Sequence, residues 1–153
     1  MRIADLLAAR VDRALISIGP KASVLALSEI LVKNEIGAVP VLEDDLLVGI
    51  ISERDIVRAV TLHGPKFPQL VVSDIMTRKV VTCTPDDPVM DTLMIMRRKH
   101  IRHIPVLRNG QILTVISIRE FDHAYLRLES LSQTDELTGL ANRRHFMTLL
   151  DCE

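Results

Sequence analysis

The feature that most constrains this chain is a repeat at a constant offset of 65 residues. IGAVPVLEDDLLVGIISERDI, from Ile36, aligns without gaps with IRHIPVLRNGQILTVISIREF, from Ile101. Pro40 falls on Pro105, Val41 on Val106, Leu42 on Leu107, Ser52 on Ser117 and Arg54 on Arg119. Residues 18–60 and 83–125 share 11 identities in 43 positions, and most other positions keep their apolar or polar character. IADLL, from Ile3, matches VSDIM, from Val72, with four extra residues in the first copy. A unit of roughly 55–60 residues buries too little surface to be comfortable alone. Two copies are therefore expected to share one core about a pseudo-two-fold axis, their sheets back to back, with two equivalent clefts between them.

Each copy reads as one β-α-β-β-α unit, so the fold class is α/β (α+β). In the first copy a short strand is expected over 14–18. A helix follows over 23–33, with Val24, Leu27 and Leu31 on one face. Strands 37–42 and 46–51 form a hairpin about Asp44-Asp45, and a helix starts at Ser52 and runs to about Leu62. In the second copy, 80–83 is the first strand. Asp87 is expected to cap a helix that has Pro88 at its first position. Asn109-Gly110 is a strong hairpin signal. The stretch 62–70, with Gly64, Pro65 and Pro68, separates the copies. The boundaries drawn are a first repeat over 1–62, a linker over 63–71 and a second repeat over 72–128.

Composition narrows function by exclusion. Hydrophobic residues make up 48% of the chain, enough for a core. The apolar runs are too short and too broken by charge for a membrane span, and MRIADLLAAR lacks the pattern of a signal peptide. A net charge of −1 gives no general attraction to nucleic acid or acidic membranes. Aromatic residues, at 3%, are too few for base-stacking platforms. Cys83 and Cys152 are far apart and belong to no CxxC pattern, which suits a reduced, cytoplasmic protein.

The candidate functional motif is Gly49-Ile-Ile-Ser52-Glu-Arg-Asp55, spanning a strand end and the first turn of a helix. A helix start offers free N–H groups and partial positive charge, which suits a phosphate. Glycine permits close approach, a serine hydroxyl can donate to phosphate oxygen, and a carboxylate can accept both ribose hydroxyls. The same spacing is also a capping box, which is purely local chemistry. In the second copy Thr114 replaces the glycine and Glu120 the aspartate. The first copy therefore leans to ligand binding and the second to capping.

Other candidates are weaker. In MRRKHIRH (96–103), Arg97, Arg98, Lys99 and Arg102 could reach ligand phosphates across the cleft; alternatively Arg97 to Lys99 are a solvated helix end, where cations suit the dipole. His100 and His103 have no cysteine or acid cluster to complete a metal site. No pattern of nucleophilic catalysis is present. Met90, Met94 and Met96 read as filler for the core and the pair interface.

In the order and duplication of these pieces the chain resembles the CBS-domain family, as a tandem pair over roughly residues 3–128. The residues that carry the resemblance are DIMT at Asp74–Thr77, IRHIPVL with its twin IGAVPVL, and GIISERD with its twin TVISIRE. The resemblance implies binding of an adenine nucleotide (AMP, ADP or ATP) or S-adenosylmethionine as a regulatory ligand, with no cofactor or metal required. It places Ser52 on phosphate and Asp55 on ribose, with Gly49 and Arg54 beside them. It places Ile16, Ser17, Gly37, Ala38 and Val39 around the adenine. The second cleft would use Ser117, Glu120, Arg119, Thr84, Arg102 and His103, with the departures at Thr114 and Glu120 weakening it. It also implies a homodimer through the paired copies.

From Ile118 through Ser132 there is no Gly or Pro, and Ile118, Phe121, Tyr125 and Leu128 lie at seam spacing. A signalling helix is expected over 118–133. The following segment, DELTGLANRRHF from Asp135, resembles the opening of the GGDEF family of diguanylate cyclases, which make cyclic di-GMP. Residues 134–153 then read as the truncated start of such a domain, without its metal-binding acids. The expectation is a non-enzymatic input module of a longer protein, controlling a cyclase; the alternatives are a ligand-free structural dimerisation module and the input half of an intact cyclase.

Overall fold

The computed structural model describes residues 1–8 and 14–122. The chain divides into two compact units, Met1–Ser117 and Ile118–Glu153. Of the second, only a helical segment over 118–122 lies within the described residues. Most of the expected signalling helix, including Tyr125 and Leu128, and all of DELTGLANRRHF lie outside them.

The first unit contains the first repeat through its last helix and the second as far as its hairpin. α1 (Ile3–Ala8) leads into the first copy: α2 (Val24–Asn34), β1 (Ala38–Glu43), β2 (Leu46–Ser52) and α3 (Glu53–His63). A 3-10 turn over Gly64–Gln69 occupies most of the expected linker. α4 (Val72–Ile75) then leads into α5 (Val89–Arg98), β3 (His103–Arg108) and β4 (Gln111–Ser117).

The hairpins are near duplicates. β1 pairs antiparallel with β2 and β3 with β4, each with a register shift one residue after the central valine, Val41 or Val106. Asp44, Asp45, Asn109 and Gly110 all have positive φ, as a two-residue turn matching strand twist requires. α2 and α5 end alike. Glu35 and His100 adopt left-handed φ values of 52° and 54°. The N–H of Ile36 donates to Leu31 and that of Ile101 to Met96, so the last carbonyls are satisfied.

The expected first strands, 14–18 and 80–83, reduce to single paired residues. Ile18 bridges Val41 and Cys83 bridges Val106, both in parallel. Ile18 donates to Pro40 and accepts from Leu42; Cys83 donates to Pro105 and accepts from Leu107. The next ladder bond would need an N–H from Pro40 or Pro105, and proline has none. Prolines at the same place in both copies therefore cut both strands short.

The start of α5 also differs from expectation. Pro88 is the cap residue, with φ −64° and ψ 135°. Asp87 does not cap the helix; its Oδ2 accepts from the Thr84 N–H at 2.7 Å. In the first copy Ser23 caps α2 by accepting from the Ala26 N–H at 3.1 Å.

Buried positions recur at the repeat offset: Ile18 and Cys83, Leu27 and Thr92, Leu31 and Met96, Val39 and Ile104, Val41 and Val106, Ile51 and Ile116. Each large apolar side chain so buried contributes about 1.5–3 kcal/mol. Thr92, the polar exception, donates its hydroxyl to the Pro88 carbonyl at 3.0 Å. Of the helix methionines, Met96 is buried, whereas Met90 and Met94 are 44% and 65% exposed and so are not core filler.

The two leading helices are exchanged. α1 precedes the first copy in sequence but pairs with the second: Ile3 donates to Asp87, Ala4 to Pro85, and Val89 back to Met1. α4 precedes the second copy but pairs with the first: Val72 donates to Ala22, Ser73 to Pro20, and Val24 back to Leu70. Asp5 and Asp74 complete the symmetry, accepting from the N–H groups of Arg2 and Val71. Val72 and Met76 consequently join Leu27, Leu31, Val39, Val41 and Ile51 in the first copy's core.

Candidate functional site

β2 runs directly into α3, and Ser52 at the junction is extended, with φ −131° and ψ 166°. This conformation turns its N–H and hydroxyl toward the first helical turn. Asp55 Oδ2 accepts from both, at 2.8 Å and 2.7 Å. The Ser52–Asp55 pair thus closes on itself, and the hydroxyl proton assigned to a phosphate is donated to Asp55. The second carboxylate oxygen of Asp55 is left to accept from a hydroxyl.

The Glu53 N–H donates to the Gly37 carbonyl at 3.1 Å, which ties the start of β1 to the start of α3. Gly37 is closely covered from the other copy. A methyl group on it would lie 3.0 Å from His103 Cε1, 3.1 Å from His103 Nε2 and 3.6 Å from Glu53 Oε2. Arg54, on the next residue of α3, donates to the His100 carbonyl at 3.2 Å. The first copy's motif therefore meets the second copy's α5–β3 turn.

The structure brings together Gly37, Ser52, Arg54, Asp55 and His103, the last of which the sequence reading placed in the other cleft. Ser52 and Asp55 are half-buried, so the site is shielded but reachable. Ala38 is buried and the Val39 side chain is fully buried in the first copy's core. Ile16 packs against that core, and Ser17 is half-buried beside it. At the second motif Thr84, Arg102 and Arg119 are exposed, and Ser117 and Glu120 are half-buried.

Gly49 does permit close approach, but what approaches is protein. A Cβ there would lie 2.6 Å from Met76 Sδ and 3.2 Å from the Thr77 carbonyl oxygen. Ile50 and Thr77 exchange two backbone hydrogen bonds, at 3.0 Å and 2.9 Å, which hold α4's trailing residues over β2. Gly49 is buried beneath them.

Glu53 is the residue that sequence reasoning missed. It sits inside the motif, yet only the fold of Gly37 beneath it brings its carboxylate to the inter-copy boundary. Two surface depressions lie elsewhere, lined by Ser28, Glu29, Val32 and Lys33 on α2 and by Asp91, Met94, Ile95 and Arg98 on α5. They are open and built from one helix each, and neither includes a residue of the Ser52 motif. Among the described residues no cluster of His, Cys, Asp and Glu could hold a metal ion.

The profile of the CBS domain matches residues 3–62 and 72–127. The chain belongs to the CBS domain family. The CBS pair is similar to the CBS-domain protein ATU1752 from Agrobacterium tumefaciens, with a TM-score of 0.78 and 34% identity over 82% of this chain and 99% of that one. It also shares the fold of the CBS domain pair of protein MJ0100, solved with 5′-methylthioadenosine and S-adenosyl-L-methionine. There the TM-score is 0.73 and the identity 22%, over 84% of this chain and 98% of that one.

Among curated relatives, an uncharacterised 17.7 kDa protein of Acidianus ambivalens is 31% identical over 73% of this chain and 68% of its own length. The mitochondrial CBS domain-containing protein CBSX3 of Arabidopsis thaliana is 35% identical over 56% of this chain, which spans only 44% of CBSX3. No helix among the described residues is long and apolar enough to cross a membrane.

Proposed function

We propose that this CBS pair is a sensor. It binds an adenosine-containing ligand in the cleft beside Ser52, and occupancy regulates an attached output domain. The observation that carries the reading is that Gly37, which accepts from the Glu53 N–H at the start of the helix bearing Asp55, is covered by His103 of the other repeat. A nucleoside seated there would contact both repeats at once. It would bias their relative geometry in proportion to its differential affinity for two states. The adenosyl ligands of MJ0100 support the ligand class. The second cleft, around Ser117 and Glu120, is the weaker site in this reading.

The output is a diguanylate cyclase domain, proposed on the likeness of DELTGLANRRHF to a GGDEF opening, with 118–133 as the transmitting helix in a cytoplasmic protein. Thermal unfolding with AMP, ADP, ATP, S-adenosylmethionine and, as a control, GTP tests the sensor. Ligand at 100 times its dissociation constant stabilises by about 2.7 kcal/mol. A midpoint unmoved by every adenosyl compound would sink the reading. Incubation with GTP and magnesium should yield no cyclic dinucleotide from this chain.

A second reading is a ligand-free dimerisation module. It is favoured by Leu25 and Val32 on α2 and Met90 and Met94 on α5, which present apolar surface at 44–79% exposure. A second copy of this chain would cover them. Light scattering reads the outcome directly: a monomer at micromolar concentration excludes it.

A further inference from the structure

We infer that the Ser52 cleft prefers adenosyl ligands that carry no phosphate, and that Glu53 and His103, converging on Gly37 from the two repeats, set that preference. The inference rests on the adenosyl-binding reading above and sharpens it to a ligand class. A phosphate needs hydrogen-bond donors and positive charge. The two Ser52 donors, its N–H and its hydroxyl, are both committed to Asp55 Oδ2. What the pair still offers is an acceptor, which suits a ribose hydroxyl and opposes a phosphate oxygen.

The charges agree with the hydrogen bonds. Glu53 and Asp55 place two carboxylates on the first turn of α3, against the attraction of the helix start for anions. Arg54, the cation between them, is turned to the His100 carbonyl of the second repeat. Glu53 Oε2 and the His103 ring both lie within van der Waals reach of the place a methyl group on Gly37 would take. A 5′ substituent leaving the ribose toward α3 would therefore meet a carboxylate and an imidazole packed over bare backbone. An uncharged thioether or a sulfonium fits that surface, whereas a phosphate dianion beside Glu53 is repelled.

The test compares 5′-methylthioadenosine with AMP, which differ only at the 5′ position, and adds S-adenosylmethionine and ATP. Affinities for the full chain are measured by calorimetry. The expected result is that methylthioadenosine and S-adenosylmethionine bind at least about tenfold more tightly than AMP or ATP. Glu53→Gln should narrow that gap by strengthening AMP, and His103→Ala should loosen it from the other repeat. Both side chains lie at the cleft surface, and a circular dichroism melt confirms that each variant folds. AMP or ATP binding as tightly as methylthioadenosine, with Glu53→Gln changing neither, overturns the preference and leaves the sensor reading standing. No binding of any of the four overturns both.

Discussion

The backbone N–H of Ile3 donates to the carbonyl of Asp87 at 3.0 Å, so the first turn of the chain is anchored to its second repeat. Val72 repeats the bond with Ala22 at 2.9 Å. Both side chains are fully buried. Ile3→Ala should therefore behave as a core truncation although it lies three residues from the N-terminus. It should cost about 2–5 kcal/mol, with Val72→Ala slightly cheaper for its smaller side chain. Urea unfolding measures both. A loss under about 0.5 kcal/mol for Ile3→Ala, the range of ordinary surface substitutions, would show that α1 is not docked as described.

Gly49 and Met76 form a pair that should be coupled. Gly49→Ala forces Met76 Sδ away from a 2.6 Å approach and presses on the Thr77 carbonyl. Overpacking of this kind costs about 1–3 kcal/mol. Met76→Ala removes the flexible half of the clash, so the double variant should be more stable than the two losses added together. A double-mutant cycle with no coupling would contradict the contact.

Cys83 should be chemically silent in the native protein. Burial first, and then the Asp87 carboxylate, push its thiol up from 9.0 to about 12. At pH 8 almost no thiolate is present to react. In a Cys152→Ser background, alkylation followed by mass spectrometry should label Cys83 only after unfolding. The same shift predicts alkaline sensitivity. Above pH 9 the unfolded thiol ionises while the folded one stays protonated, so this group's contribution to stability falls progressively between pH 9 and about 12. Cys83→Ala should flatten that part of the profile.

Asp55 should matter to stability as well as to binding. Asp55→Ala strips the acceptor from both the Ser52 N–H and its hydroxyl, at a cost of about 1 kcal/mol. Ser52→Ala removes the other half of the same capping box and should cost a similar amount, about 1 kcal/mol. If binding needs the free Asp55 oxygen, Asp55→Ala abolishes the adenosyl-dependent rise in melting temperature while Glu120→Ala preserves it. The reverse ranking would move the site to the second motif.

Much of this architecture was legible because it is local or periodic. The 65-residue offset, the apolar stripe Val24–Leu27–Leu31 and the turns Asp44-Asp45 and Asn109-Gly110 each leave a mark within a few residues of where they act. So does the Ser52–Asp55 spacing, and the local reading of that motif is the one its hydrogen bonds display. The one-residue difference at Asp87 is also local: the expected cap carboxylate accepts from the Thr84 N–H three residues back, and Pro88 takes the cap position in place of the first helical one.

The sequence by itself determined that two similar units must share a core, since neither is large enough to stand alone. It also determined where each hairpin turns and, to within a residue, where α2, α3 and α5 begin. Only the tertiary structure decided that α1 and α4 change places, that Gly49 makes room for Met76, and that His103 covers Gly37 beside Glu53. Those relationships join residues far apart in the chain through single hydrogen bonds and contacts. Such bonds impose no period on the sequence, and residue type alone does not say which distant surface a glycine exposes its backbone to.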